Sequence, residues 1–342
     1  MTIEIAIFGD LFMPSSLIKQ CLIAQTGQLG ELRIHEYEVS VEKQDDIEGI
    51  SEYWGDPKKI IASISDADIL IVHAAPVNAE VIDAAQDLKL IGCCRSGAAN
   101  IDVSYATKKG IPVLFTPGRN AHAVADLTIG LIICEARGIA RADAQMKSGV
   151  YCVPEVGVEL WGKTLGIIGL GSVGSAVAHR AENGFNMEVL AHDPYIPKER
   201  AEELGVRLVD LETLLRESDF VTVHSRASPD AKPQITAEHL AMMKPTAYFI
   251  NTSRGNNVDE QALIEALVNG RIAGAALDVY TKEPINPENP LLKLDNVTLT
   301  PHIGGITREV PLRTAEIMVE DVARFIRGEK PRNVLNVEVL KH

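Results

Sequence analysis

The chain has 342 residues, 46% of them hydrophobic, and a formal net charge of −14. That length favours two domains, and the composition is that of a globular protein. The acidic balance argues against a nucleic acid or an anionic membrane as partner, since both need a basic surface; an anionic substrate would have to meet a local positive pocket.

The first residues, Met1-Thr-Ile-Glu-Ile-Ala-Ile-Phe8, read as a strand rather than a leader. Apolar runs predict further strands at 69–73, 90–93 and 113–115, then at 165–168, 188–191, 220–224, 247–251, 274–278 and 297–300. Helical patterns at 173–182, 211–217, 260–269 and 309–327 fall between or after them. Alternation of near-continuous apolar strands with amphipathic helices implies parallel sheets covered on both faces, an α/β fold of two doubly wound domains. Residues 120–148 read as one long helix, begun by Asn120 and ended near Gly149, leading from the first domain into the second. The helix after Thr307 is expected to return to the first domain. The predicted division is therefore 1–117 with 304–342 as a substrate domain, and 118–303 as an inserted nucleotide domain. Pro117-Gly118 and Pro301 are the expected hinges, with a ligand cleft between the domains. The longest apolar stretch, 127–134, is too short to span a bilayer.

The five cysteines, Cys21, Cys93, Cys94, Cys134 and Cys152, are odd in number and contain no Cys-x-x-Cys. Neither a disulfide framework nor a thiolate metal site is suggested, and a cytoplasmic location is expected. Cys93 and Cys94 follow an apolar strand and read as buried rather than reactive.

The strongest signal is Leu165-Gly-Ile-Ile-Gly169-Leu-Gly171-Ser172-Val173-Gly174, followed by Glu188-Val-Leu-Ala-His-Asp193. A strand, a glycine turn, a helix and a second strand ending in an acid make the layout of a dinucleotide site. Gly169 permits the tight turn, Gly171 lets backbone approach a pyrophosphate, and Gly174 allows close helix–strand packing. The helix start at Ser172 and Val173 supplies N–H donors and partial positive charge. Asp193 suits the ribose hydroxyls and would repel a 2′-phosphate, which favours NAD over NADP; Lys198 and Arg200 nearby weaken that preference.

Three later strand ends carry chemistry. Asn251-Thr-Ser-Arg254-Gly ends one strand on an arginine, Ala275-Ala-Leu-Asp278-Val-Tyr-Thr-Lys-Glu283-Pro ends another on two acids, and Leu299-Thr-Pro-His302-Ile-Gly-Gly ends a third on a histidine. Carboxyl ends of parallel strands line the ligand crevice. Arg254 offers a planar fork for a carboxylate, His302 can exchange a proton near neutrality, and Glu283 can hold the imidazole and favour its charged form. A cation, an acid and a hydride donor are what reduction of a 2-oxo acid requires. Taken singly, each has a plain structural reading: an ion pair for Arg254, a turn contact for His302, a solvated loop residue for Glu283. In the first domain, Arg95-Ser96-Gly97-Ala-Ala-Asn100-Ile-Asp102 follows a strand and can form an anion-binding nest at Ser96 and Gly97, or a simple turn into a helix capped by Asp102. Arg95 either reaches a distal anionic group of a substrate or makes a surface ion pair.

From about Ile69 to Pro331, these motifs resemble the NAD-dependent D-2-hydroxyacid dehydrogenases, the group that includes D-3-phosphoglycerate, D-lactate, glyoxylate/hydroxypyruvate and formate dehydrogenases. The resemblance rests on the glycine motif, Met243-Lys-Pro-Thr-Ala-Tyr-Phe-Ile-Asn-Thr-Ser-Arg-Gly, Ile272-Ala-Gly-Ala-Ala-Leu-Asp-Val and Asp295-Asn-Val-Thr-Leu-Thr-Pro-His-Ile-Gly-Gly. It implies a Rossmann domain inserted into a flavodoxin-like substrate domain, NAD as cofactor, a small 2-hydroxy or 2-oxo acid as substrate, no metal, and a homodimer built through the nucleotide domains. By the same resemblance the catalytic set is Arg254, Glu283 and His302, and the substrate lies against Arg95, Ser96, Gly97, Arg254 and His302. The cofactor contacts it implies are Gly169, Gly171, Ser172, Val173, Gly174, Asp193, His224, Thr252, Ser253, Asp278, His302 and Gly304, with Asp278 near the nicotinamide carboxamide. The chain departs from the pattern at Ser225-Arg226-Ala227-Ser228-Pro229, where an apolar residue, proline, leucine and threonine are usual. Asn256 replaces a glycine and Asp126 a glutamate. A corepressor-like NAD-binding protein and a phosphite-type dehydrogenase are the alternatives; an adenosylhomocysteine-type hydrolase would need motifs missing here.

Overall fold

The computed structural model describes residues 2–26, 31–40, 47–151, 156–225 and 232–341. Cys152 and residues 226–229 of the unusual segment, Arg226 included, lie outside them. The chain divides into two units, one of residues 1–119 with 306–342 and one of residues 120–305.

In the first unit, strands β1 (Ile3–Gly9), β2 (Leu32–Glu38), β3 (Ile69–Val72), β4 (Leu90–Cys93) and β5 (Val113–Leu114) make a parallel sheet in the order β2-β1-β3-β4-β5, which is flavodoxin-like. On one face Ala6, Leu70 and Val72 pack with Ile60, Val81, Ile82 and Ala106. On the other, Ile5, Ile7 and Ile71 pack with Ile18, Leu22, Met318 and Val322. The last two belong to helix Glu309–Ile326, so the chain's end completes this core.

In the second unit, β6 (Thr164–Ile168), β7 (Glu188–His192), β8 (Arg207–Leu208), β9 (Phe220–Val223), β10 (Tyr248–Asn251), β11 (Gly274–Leu277) and β12 (Val297–Leu299) are all parallel, in the order β12-β11-β10-β9-β6-β7-β8. This is the doubly wound nucleotide-binding order with a seventh strand. Leu165 and Ile167 face helices Ala121–Arg137 and Ser172–Phe185. Ile168, Val221 and Val223 face Leu214, Leu240 and Leu263 on the opposite side. The order reverses direction beside β6, which pairs with both β7 and β9.

One predicted element is corrected. The long helix over 120–148 is two helices, Ala121–Arg137 and Ile139–Lys147, both within the second unit. Gly138 between them has φ +60, a left-handed conformation that ends the first helix and that glycine adopts without strain. Asn120 stands at the helix start but makes no side-chain cap. Strands β2 and β8 are additions to the predicted set.

Candidate active site

Parallel strands place their carboxyl ends along one edge, so the order of the second sheet turns scattered sequence positions into a row. Reading from β7 to β12, the groups just past the strand ends are Asp193, Gly169, His224, Arg254, Asp278 and His302. With strands about 4.8 Å apart, the row from β6 to β12 is roughly 20 Å long, a span suited to an extended dinucleotide.

The glycine turn has three different constraints. Gly169 has φ +93, and a Cβ there would lie 2.6 Å from the amide nitrogen of Ser225. A Cβ on Gly174 would stand 2.1 Å from the Gly169 carbonyl oxygen. A Cβ on Gly171 would meet nothing within 4 Å. The first two positions are closed by the protein itself; the third faces open space at the start of helix Ser172–Phe185, where backbone N–H groups lack helical partners. Asp193 accepts hydrogen bonds from the Leu170 amide at 2.8 Å and the Tyr195 amide at 2.9 Å, so its carboxylate braces the glycine turn. A cavity of about 470 Å³ opens beside the turn, lined by Gly171, Ser172, Ser175, His122, His179 and Arg200 among others. These features fit a dinucleotide. Ser175, His122 and His179 escape sequence reasoning; Ser175 and His179 lie one helical turn apart beyond Ser172, a spacing that is the one signal available for them.

His224 ends β9. Its Nε2 lies 3.0 Å from Thr222 Oγ1, its Nδ1 is buried without a partner among the described residues, and burial pushes its pKa down to about 3. At neutral pH it is therefore an uncharged ring with one unmet polar atom. At the end of β10 the Thr252 and Thr128 hydroxyls are 2.8 Å apart, while the Ser253 hydroxyl donates to Asn251 Oδ1 at 2.8 Å. Asn257 Nδ2 donates to Ser253 Oγ at 2.8 Å and to the Ser225 carbonyl at 3.0 Å. The first residue of the atypical segment is thus tied to the turn that carries Arg254.

His302 Nδ1 lies 2.7 Å from Glu283 Oε2. The side chains are 47% and 36% exposed, so the pair is open to a ligand as well as to water. The Glu283 bond raises the His302 pKa, against burial and against the nearby Arg254 charge. Burial works to raise Glu283, but the His302 ring and the Tyr280 amide outweigh it and hold the carboxyl below its usual range. Arg254 is exposed, and its charge acts on both members of the pair. Its guanidinium donates to the Ser253 carbonyl at 2.8 Å and makes no ion pair among the described residues.

His302 has φ +54, a conformation costing a non-glycine residue roughly 1–2 kcal/mol. Asp278, 1% exposed, holds the turn in place. It accepts from Thr300 Oγ1 at 2.6 Å, the Ile303 amide at 2.8 Å and the Gly304 amide at 2.8 Å. The Tyr280 hydroxyl donates to the Thr300 carbonyl at 2.9 Å. A Cβ on Gly255 would lie 2.0 Å from the Tyr280 carbonyl carbon, so only glycine lets the turn after Arg254 rest on the 278–283 loop.

In the first unit the 95–102 loop begins where β4 ends. The Ser96 hydroxyl donates to the Thr116 carbonyl at 3.4 Å, and a Cβ on Gly97 would meet nothing within 4 Å. Arg95 pairs with the Glu52 carboxylate and donates to the Glu52 carbonyl at 2.7 Å, so of its two readings the ion pair is the one seen. Asp102 caps helix Val103–Lys108 through the Tyr105 amide at 2.9 Å. Cys93 and Cys94 are fully buried, and burial pushes the Cys93 thiol up to about 11 and Cys94 in the same direction. Among the described residues no three His, Cys, Asp or Glu side chains are grouped to hold a metal ion, and no helix is long and apolar enough to cross a membrane.

A parallel doubly wound sheet with a glycine turn at its reversal point and an imidazole–carboxylate pair on the same edge defines an α/β dinucleotide-binding protein. Residues 129–304 match the family described as D-isomer specific 2-hydroxyacid dehydrogenase, NAD binding domain, and the chain belongs to that family. It is 44% identical over 283 residues to a D-3-phosphoglycerate dehydrogenase of Methanocaldococcus jannaschii, covering 82% of this chain and 54% of that protein. The chain therefore spans about half the length of that relative. A glyoxylate reductase of Korarchaeum cryptofilum is 43% identical over 290 residues, covering 83% of this chain and 87% of its own. A solved protein structure from Thermus thermophilus aligns with a TM-score of 0.78 at 32% identity, covering 97% of this chain and all of that one.

Proposed function

We propose that this protein is a cytoplasmic, NAD(H)-linked D-2-hydroxyacid dehydrogenase acting at the C2 position of a small 2-hydroxy or 2-oxo acid, of the phosphoglycerate or glyoxylate/hydroxypyruvate type. When bound, the nicotinamide cofactor supplies or accepts the hydride. The Gly169–Gly174 turn and the Ser172 and Val173 amides hold its pyrophosphate, and Asp193 its ribose; Asp278, Thr252, Ser253, His224 and Gly304 border the rest. Arg254 binds the substrate carboxylate and sets the orientation of the carbonyl; within the first unit, the Ser96 and Gly97 amides are anion donors. His302, whose protonated form Glu283 favours, gives its proton to the oxygen as the alkoxide forms; in oxidation the neutral ring takes it back.

The observation that carries this reading is the 2.7 Å contact between His302 and Glu283 at the edge shared with Arg254. Stoichiometric NADH consumption with a 2-oxo acid tests it. His302→Gln should keep NADH binding and lose about 10²-fold or more in turnover, the size of a missing general acid. Near-normal turnover would remove His302 from the mechanism, and no NADH consumption with any 2-oxo acid would remove the activity.

The same reading includes a homodimer through the nucleotide-binding unit. Ile139, Met146, Val150, Tyr151, Val156 and Trp161 are large apolar side chains, each about half exposed or more, within one short stretch. Exposed apolar side chains of this kind support an association surface in this region. A solution mass near 37.1 kDa, that of one chain, would exclude it. The net charge of −14 supports the absence of a nucleic-acid partner.

A further inference from the structure

Helix Ile139–Lys147 of the second unit is built the wrong way round. A surface helix turns its apolar stripe to the core and its charges to water. In this one the half-buried residues are Arg141, Ala142 and Gln145, and the Gln145 Oε1 is buried. Ile139 and Met146, seven residues apart and so on one face, are 49% and 55% exposed. No residue of this nine-residue helix is buried, and a helix that short does not hold its shape in water unaided. Its anchor is therefore polar. Arg141 Nη1 donates to Glu135 Oε2 and to the Asp295 carbonyl, both at 3.1 Å. The Glu135 carboxylate is fully buried, and its other oxygen accepts from Thr298 Oγ1. A Cβ on Gly274 would lie 2.9 Å from Glu135 Oε2, so the carboxylate has room only because that strand position is glycine. Arg141 thus ties the helix, across the left-handed elbow at Gly138, to the end of helix Ala121–Arg137 and to the start of edge strand β12.

We propose that the Glu135–Arg141 pair is a latch that holds this helix inside out, and so presents Ile139, Met146 and the following Val150 as the face on which a second copy of the chain docks. The inference rests on the homodimer proposed above and assigns the residues that position its surface. An isologous contact sets the same residues against one another, so unpaired charge on the face would repel. The chain is strongly acidic, with a net charge of −14, yet this helix presents no unpaired charge. Asp143 and Lys147 bond each other at 2.7 Å, and Arg141 is taken by Glu135. The exposed apolar side chains continue past the helix at Tyr151, Val156 and Trp161. An identical chain meets such a face without repulsion, whereas a charged partner would find nothing on the helix to pair with.

Arg141→Met alone would strand a buried carboxylate without its cation and endanger the fold, so the test variant joins it to Glu135→Gln. Sedimentation equilibrium gives the dimer dissociation constant, and hydrogen exchange of the 139–147 amides reads the helix. The double variant should raise the dissociation constant about tenfold or more and lose protection across the helix, with NADH binding kept as the sign of an intact fold. Arg141→Lys, which keeps the charge, should recover part of both. Met146→Glu spoils the face and leaves the latch, so it should be monomeric with the helix still protected. An unchanged dissociation constant in the double variant would overturn the inference, as would loss of protection in Met146→Glu, because the partner and not the latch would then be holding the helix. A monomeric wild type refutes the homodimer and the docking face with it. Exchange still decides the latch in that case: equal protection in the wild type and the double variant refutes it.

Discussion

Replacing Asp278 by asparagine tests whether His302, the proposed proton donor, is set in place by a carboxylate that need not touch it. The carboxylate accepts three hydrogen bonds, from Thr300 Oγ1, the Ile303 amide and the Gly304 amide. Asparagine keeps the shape and has one acceptor oxygen. In its better orientation the oxygen serves Thr300 and Ile303, and the amide nitrogen then faces the Gly304 N–H, donor against donor. One buried donor left unmet costs roughly 1–3 kcal/mol. That is the same size as the roughly 1–2 kcal/mol needed to keep His302 at positive φ. The turn should therefore relax. At roughly 3 °C per kcal/mol for a unit of this size, the melting temperature should fall by roughly 3–9 °C. A ring displaced by about an ångström loses turnover by up to about 10²-fold.

Calorimetry, steady-state kinetics and NADH titration on Asp278→Asn separate the two roles open to this residue. Loss of stability and kcat with NADH affinity nearly kept is the expected result. Unchanged melting temperature and kcat, with weaker NADH binding alone, would show that Asp278 acts through the cofactor and not through the His302 turn.

Two further substitutions probe the pair and the glycine turn. In the reduction direction the working form is protonated His302, so kcat/KM should hold at low pH and fall as pH rises through the raised pKa. Glu283→Gln removes the main cause of that rise and leaves burial and Arg254, which lower it, against the smaller opposing effect of Asp278; the falling limb should move to lower pH, and an unmoved profile would contradict the pairing. Gly171→Ala and Gly174→Ala should behave oppositely. The first adds a methyl where the protein leaves open space, so stability is kept and NADH binding weakens; the second drives a methyl to 2.1 Å from the Gly169 carbonyl oxygen and should destabilise the fold. Equal effects on stability would show that the open space at Gly171 is not the ligand's.

The inner parallel strands were legible because they are buried on both faces and read as near-continuous apolar runs: 69–73 and 220–224 differ from Ile69–Val72 and Phe220–Val223 by a terminal residue. β2, Leu-Arg-Ile-His-Glu-Tyr-Glu, gave no such run because it is an edge strand hydrogen-bonded to β1 alone and mostly open to solvent. β8 is two residues long and gives no pattern. The helix break at Gly138 was hidden because helical spacing continues across it, although Ile139–Lys147 buries no residue. The site was legible as strand-end residues, since parallel order brings such ends to one edge whatever their separation in sequence. What could not be read were the contacts made by backbone and by long-range pairing. Asp278 meets amides 25 and 26 residues away, and Arg95 meets Glu52 across 43 residues. No local pattern encodes either.

The loop from Asp278 to Glu283 acts as a single reference frame for Arg254, Glu283 and His302, the three groups proposed to carry the reaction. Its first residue fixes the backbone on either side of His302, and its last fixes the same residue's ring. Between them the Tyr280 amide holds the Glu283 carboxylate at 3.0 Å, while the Tyr280 hydroxyl latches the loop to the strand end that carries His302. The turn after Arg254 rests on this loop through a contact that only Gly255 permits. Placement and protonation of His302, the proposed proton donor, thus depend on one short segment, and Arg254 is registered against it. Two conservative changes within that segment should therefore be separable by what they mainly alter: Asp278→Asn lowers turnover at every pH and moves the falling limb only slightly, its charge being the smallest of the causes that raise His302, whereas Glu283→Gln chiefly shifts the pH at which turnover is lost. Were both to produce the same pH-independent loss, the division of labour within the loop would be wrong, and the carboxylates would act only as a joint structural prop.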